Sequence, residues 1–327
     1  MYVNHNGAAV DHHRNLFILS SGRVLINRQQ WLLVPLSMLL YTSLGFSPCS
    51  NLKLLRSATL HKMSNPVDQV LNFYENVPEF SEYDEYIMAT FPGALSNWDL
   101  RARVVITLQS KGCQAETTLL ATSLCSDELA RQLQDDFGQI YGNSFILGGL
   151  SGFPFAGKIG FENMASHSPG SCLLIYGPHV GVSCTTGDIG IVERTGIEQA
   201  ESCCASAIAA CQHHLNGPGA DSSTSDFTDF QQGAVRQLVA PHMERLRQSE
   251  NAMLELPYTL FETQDQLLAE LVQEGFGGIK NSLILLGGIT INTAPQATDY
   301  FLPLRFDYLT KDEQGQPVVE NMMDQLR

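Results

Sequence analysis

Four apolar runs punctuate the chain, at residues 117–124, 144–148, 172–176 and 283–291. They are short, almost unbroken by polar residues, and rich in Leu, Ile and Thr. Such runs predict strands covered on both faces, the pattern of a parallel sheet between layers of helix. The segments between them have a different period. Leu129, Leu133 and Phe137 recur at helical spacing, residues 204–211 form a small-residue helix, and residues 227–251 and 259–275 carry longer helical patterns. Asn65-Pro66 opens a further expected helix over 65–74, with Asn as cap and Pro in the first turn. Residues 104–108 fit a strand or a short helix. Residues 149–161 predict a Gly/aromatic loop, 183–200 a polar Gly-rich excursion and 216–225 a surface loop. Strands alternating with helices predict an α/β fold, with a mostly parallel central sheet and helices on both faces.

Charge divides the chain unequally. Residues 1–62 hold six of the 19 Lys and Arg but only one of the 34 acids, which leaves 63–327 with 13 bases and 33 acids. A body this acidic excludes nucleic acid as a partner, because phosphate contacts need Lys and Arg. The basic leader reads as a targeting presequence or a disordered N-terminal extension, and 63–327 as a single α/β domain. The apolar stretch at 31–44 is short for a bilayer span, which needs about 20 residues. No stable membrane span is therefore expected in the mature protein. Gly45-Phe46 resembles the cleavage context of secondary-plastid presequences, predicting a plastid (chloroplast) location; an upstream-extended start with Met63 as the true one is the competing reading.

The candidate chemistry sits where the apolar runs end. Residues 117–124 run into Cys125-Ser-Asp127, residues 172–176 run through Gly177-Pro178 into His179, and Cys203-Cys204 opens the small-residue helix. Open α/β sheets place their sites at such strand ends. Two thiolates and one imidazole suit Zn2+, and three protein ligands leave the fourth position for water. A helix N-terminus favours thiolate, which fits the cysteine pair. No disulfide is expected among the eight cysteines, several of which lie in apolar runs. Phe153, Phe155, Phe161 and Tyr176 are candidates for a narrow apolar pocket, and His167, His213 and His214 for proton shuttles. The Gly-rich strand ends also raise a nucleotide-binding oxidoreductase, but residues 148–152 do not give G-x-G-x-x-G. They do not give the G-x-S-x-G elbow of hydrolases either.

Residues 153–161, 177–182, 187–190 with Arg194-Thr-Gly196, 202–206 and 292–301 together resemble the limiting-CO2-inducible B/C family of algae and its theta-type carbonic anhydrase relatives. The resemblance spans roughly residues 65–310. It implies a β-carbonic-anhydrase-like fold, a homodimer or larger homo-oligomer, and reversible hydration of CO2 to bicarbonate through zinc-bound hydroxide. It implies zinc on Cys125, His179 and one of the cysteine pair, Cys204 being favoured and Cys203 the fallback. Asp127 would accept the hydroxide proton or else displace the water and close the site. The resemblance favours Arg194 as the cation holding Asp127, and Arg131, one helical turn on, is the local competitor. A non-catalytic partner protein in a CO2-concentrating assembly would keep the same metal ligands.

Overall fold

The computed structural model describes residues 82–215, 227–295 and 297–327, together with three short strands nearer the N-terminus. Those strands, Ala9–Asp11, Leu16–Ile18 and Val24–Leu25, form a small antiparallel sheet. They belong to a compact unit of residues 1–60, and residues 61–327 form a second unit. The rest of the leader, the expected helix at 65–74 and the loop at 216–225 lie outside the described residues.

Among the described residues of the second unit, helix α1 (Glu82–Thr90), strand β1 (Leu95–Ser96) and α2 (Asn97–Ser110) come first. The expected strands follow as β2 (Thr118–Ser123), β3 (Phe145–Ile146) and β4 (Ser171–Tyr176), with α3 (Arg131–Tyr141) and α4 (Gly157–His167) between them. Next come β5 (His179–Gly181), β6 (Ile191–Val192), β7 (Glu201–Ser202) and α5 (Ala205–Leu215). Helices α6 (Phe230–Val239), α7 (Met243–Gln248) and α8 (Ala252–Gly275) lead to β8 (Leu283–Asn292), β9 (Tyr300–Lys311) and β10 (Pro317–Asn321).

The main sheet runs in the order β10-β9-β8-β4-β2-β3. Its centre is parallel: β4 pairs with β2 on one side and β8 on the other, and β2 pairs with β3. Strands β9 and β10 add an antiparallel edge. Rungs across the parallel centre alternate between two cores. Leu120, Leu173 and Ile284 stand in register and face the core beneath α2, α3, α5 and α6; Ala121, Leu174 and Leu285 face the core beneath α1, α4 and α8. Both faces are thus apolar, which is why these strands read as continuous runs. Burying each such Leu contributes about 1.5–3 kcal/mol.

Residues 104–108 take the helical alternative, inside α2. Three expectations need correction. The Gly/aromatic loop at 149–161 is already helical from Gly157, as α4. The strand at 144–148 shrinks to two residues at a sheet edge. Helix α8 begins seven residues before the pattern at 259–275 and runs through Pro257, because Asn251 caps the N–H groups of Met253 and Leu254 and fixes the helix start upstream.

Candidate metal centre

The parallel topology gathers three chain segments at the carboxyl ends of the strands. Cys125 lies just beyond β2. His179 is the first residue of β5, which continues beside β8 in parallel register, His179 opposite Thr290. Between β4 and β5 the chain passes Gly177 at φ +147°, where a Cβ would stand 1.7 Å from the Gly288 carbonyl oxygen. Only glycine fits that approach, so β5 can follow the sheet closely and deliver His179 to its edge. Cys203 is held by its backbone: its N–H donates to Gly190 and its carbonyl accepts from Gly181. Cys204 then stands immediately before α5.

The ligand atoms of Cys125, His179 and Cys204 all lie within 4.8 Å of one another, the two sulfurs 3.7 Å apart. All three residues are buried, with 3–4% exposure. The Nε2 of His179 is buried and has no hydrogen-bond partner, whereas its Nδ1 lies 2.8 Å from Asn292 Oδ1 and 3.3 Å from Cys203 Sγ. Leaving a buried nitrogen unsatisfied costs about 1–3 kcal/mol, unless something occupies its lone pair. Two sulfurs and one such nitrogen form a donor set suited to a soft, tetrahedral metal ion. Cys203, the fallback ligand, faces the other nitrogen of the ring and is not part of the group.

Electrostatics favour thiolate at Cys204. The hydrogen bond from Cys125 is the main cause, burial opposes it, and His179 and the Ala207 N–H at the start of α5 add to it, so its pKa falls well below the usual thiol range. The same hydrogen bond, with burial, pushes Cys125 up. Burial would depress His179, but the sulfurs of Cys203, Cys204 and Cys125 outweigh it and raise its pKa. Ser151 adds a contact absent from the sequence reading. It sits at φ +56° with its Oγ 3.6 Å from Cys204 Sγ and 2.6 Å from Ser206 Oγ. A serine in the left-handed region leaves no mark in the sequence, so only the fold reveals it.

Asp127 caps a short 3-10 turn through the Leu129 N–H and receives both terminal nitrogens of Arg194, at 3.2 and 3.1 Å. Both side chains are mostly buried, at 13% and 12% exposure. Burial raises the Asp127 carboxyl, but the Arg194 hydrogen bonds, the His179 charge and the Leu129 N–H outweigh it and hold it below the usual carboxylate range. Arg194 also meets the exposed Glu128 and the Ser202 carbonyl. Arg131, the competing partner, instead donates to Gln134 Oε1 at 3.3 Å, since it starts α3 and lies along that helix.

The expected aromatic pocket is not formed. Phe153 belongs to one core, while Phe161 and Tyr176 belong to the other. A small cavity of about 10 Å3 instead borders His179, Cys203 and Cys204 and is walled by Ile208, Met253, Leu256 and Leu260. Of the expected shuttles, His167 packs edge-on against Phe145, and His213 and His214 stand at the far end of α5 from Cys204.

Comparison with known proteins gives the family and the fold. A family model described as limiting CO2-inducible proteins B/C beta carbonic anhydrases matches residues 94–310. The crystal structure of PtLCIB4, a homolog of the limiting CO2-inducible protein LCIB, is 43% identical over 73% of this chain and 99% of its own, with a TM-score of 0.67. The structure of LCIB is 17% identical over 74% of this chain and 99% of its own, with a TM-score of 0.57, a likeness of fold. No curated protein matches the chain.

Proposed function

The chain belongs to the limiting CO2-inducible B/C family of β-carbonic anhydrases, and from that premise we propose that it is a zinc enzyme hydrating CO2 reversibly to bicarbonate. The observation that carries this reading is the group of Cys125, His179 and Cys204, whose ligand atoms lie within 4.8 Å of one another, together with a buried His179 Nε2 that has no hydrogen-bond partner. Cys125, His179 and Cys204 would hold the ion. Zinc on such a donor set lowers the pKa of coordinated water from 15.7 towards ~7 and supplies a nucleophile at neutral pH.

Asp127 then performs the orienting step. Held as a carboxylate, it accepts a hydrogen bond at the edge of the site and aims the reacting oxygen at CO2. Arg194 fixes its position by two hydrogen bonds and keeps it ionised. The apolar walls beside His179 suit a small uncharged substrate and disfavour retention of an anion, which helps bicarbonate leave.

We also read residues 1–62 as a plastid presequence, on their basic, acid-poor composition, and the folded chain as a homodimer or larger assembly on family resemblance. Among the described residues no helix is long and apolar enough to cross a membrane. Elemental analysis and stopped-flow CO2 hydration on the purified chain test the main proposal. One zinc per chain with rapid hydration is expected. Stoichiometric zinc without turnover would favour the non-catalytic partner role, and absence of zinc would end the metal reading.

A further inference from the structure

His179 can offer a metal only the nitrogen that carries no proton, so the placement of its single ring proton decides whether the site works. Asn292, the last residue of β8, is fully buried against the ring. Its side-chain amide is placed by acceptors. Asn292 Nδ2 lies 3.0 Å from the Leu129 carbonyl oxygen and 2.9 Å from Asp299 Oδ2. Turning the amide over would set its oxygen against a carbonyl and a carboxylate, three acceptors facing one another with no hydrogen between them. The nitrogen must therefore point that way, and Oδ1 must point towards His179 Nδ1, at 2.8 Å. Cys203 Sγ approaches the same oxygen at 3.6 Å.

An amide oxygen accepts and cannot donate. In the neutral ring that a metal requires, the Nδ1 facing it is therefore the protonated nitrogen and the lone pair lies on Nε2, the atom left without a hydrogen-bond partner. Asp299 is fixed in turn: its Oδ1 accepts from the Thr293 N–H at 2.8 Å and the Thr293 hydroxyl at 3.3 Å, which leaves Oδ2 for Asn292. The chain Thr293–Asp299–Asn292–His179 thus runs from the loop after β8 to the imidazole.

We propose that Asn292, anchored by Asp299, is a positioning residue that keeps the ring proton of His179 on Nδ1 and presents Nε2 to the metal. The proposal rests on the metal reading of Cys125, His179 and Cys204. Outer partners of metal-bound histidines typically change affinity by about 10–100-fold. The Asp299 contribution is smaller, because Leu129 still orients the amide when Asp299 is altered.

Two measurements on the full chain test it. In zinc-loaded protein with 15N-labelled histidine, correlation spectra are expected to show the His179 proton on Nδ1 and none on Nε2. Chelator competition is expected to show zinc held about 10–100-fold more weakly by Asn292→Ala than by wild type, with Asp299→Asn between the two. Zinc bound with the proton on Nε2, or Asn292→Ala holding zinc as tightly as wild type, would overturn the proposal and leave the metal reading standing. A wild-type chain that binds no zinc would remove both. Should Asn292→Ala fail to fold, the proton position in the wild-type protein decides the matter alone.

Discussion

Two residues separate Tyr176, at the end of β4, from His179, at the start of β5, and the two side chains enter different polar clusters. Tyr176 stacks on Phe261 and donates its hydroxyl to Asp265. Arg305 bridges Asp265 at 2.8 Å and Asp307 at 2.7 Å, and Asn321 donates to the second oxygen of Asp307 at 3.0 Å. The hydroxyl, the guanidinium and both carboxylates all have partners. Around His179 the bonding is equally dense on the Nδ1 side, but Nε2 is left without a partner. A closed cluster ties β4, α8, β9 and β10 together and needs nothing further. An open one is a binding site, because burial makes the missing partner costly until a ligand supplies it. The difference lies in satisfaction: the cluster around Arg305 is partnered and partly exposed, and the one around His179 is deeply buried with one nitrogen unpartnered.

Substitutions can separate the two clusters. The largest effect is expected from His179→Ala, or from Cys125→Ser: zinc content falls to near zero and CO2 hydration to the uncatalysed rate, read by elemental analysis and stopped flow. Asp127→Ala comes next. It should retain zinc and lower kcat/KM by about 100-fold or more, in the range of a lost acid–base group; unchanged turnover with zinc bound would remove Asp127 from the reaction. Arg305→Ala should behave in the opposite way. It leaves two carboxylates without their cation and is expected to cost about 1–3 kcal/mol in denaturant unfolding, with zinc affinity unchanged. A fall in zinc affinity there would mean that the two clusters are coupled. Arg131→Ala should alter stability by no more than about 0.5 kcal/mol and leave turnover alone, because its guanidinium meets Gln134 and not Asp127.

Much of this division was legible in the sequence, for physical reasons. Strands β2, β4 and β8 are covered on both faces, so they stand out as apolar runs, and the residues at their ends were natural candidates. Cys125, His179 and Cys204 are found together at the strand ends, and Asp127 beside Arg194. Strand β9 gave no such signal. It carries Pro303, Arg305 and Asp307 within a long antiparallel strand between β8 and β10, and its polar residues are partnered by α8 and β10. Helix α4 was hidden by three glycines within 152–160. The aromatic pocket expected from sequence does not form, because Phe153 and Phe161, close in sequence, face opposite sides of the sheet. Asn292 ends an apolar strand just as Cys125 and His179 follow theirs, so the same rule would have singled it out. Its bond to Asp299 depends on a loop conformation that periodicity does not encode.

Zinc K-edge X-ray absorption on the purified chain tests the central claim most directly. Two sulfur and one imidazole nitrogen scatterers are expected, with a fourth light atom, and the sulfur count is expected to fall by one in Cys204→Ser and to stay at two in Cys203→Ser. A zinc shell without sulfur, or one that loses sulfur with Cys203 and keeps it without Cys204, would contradict the account.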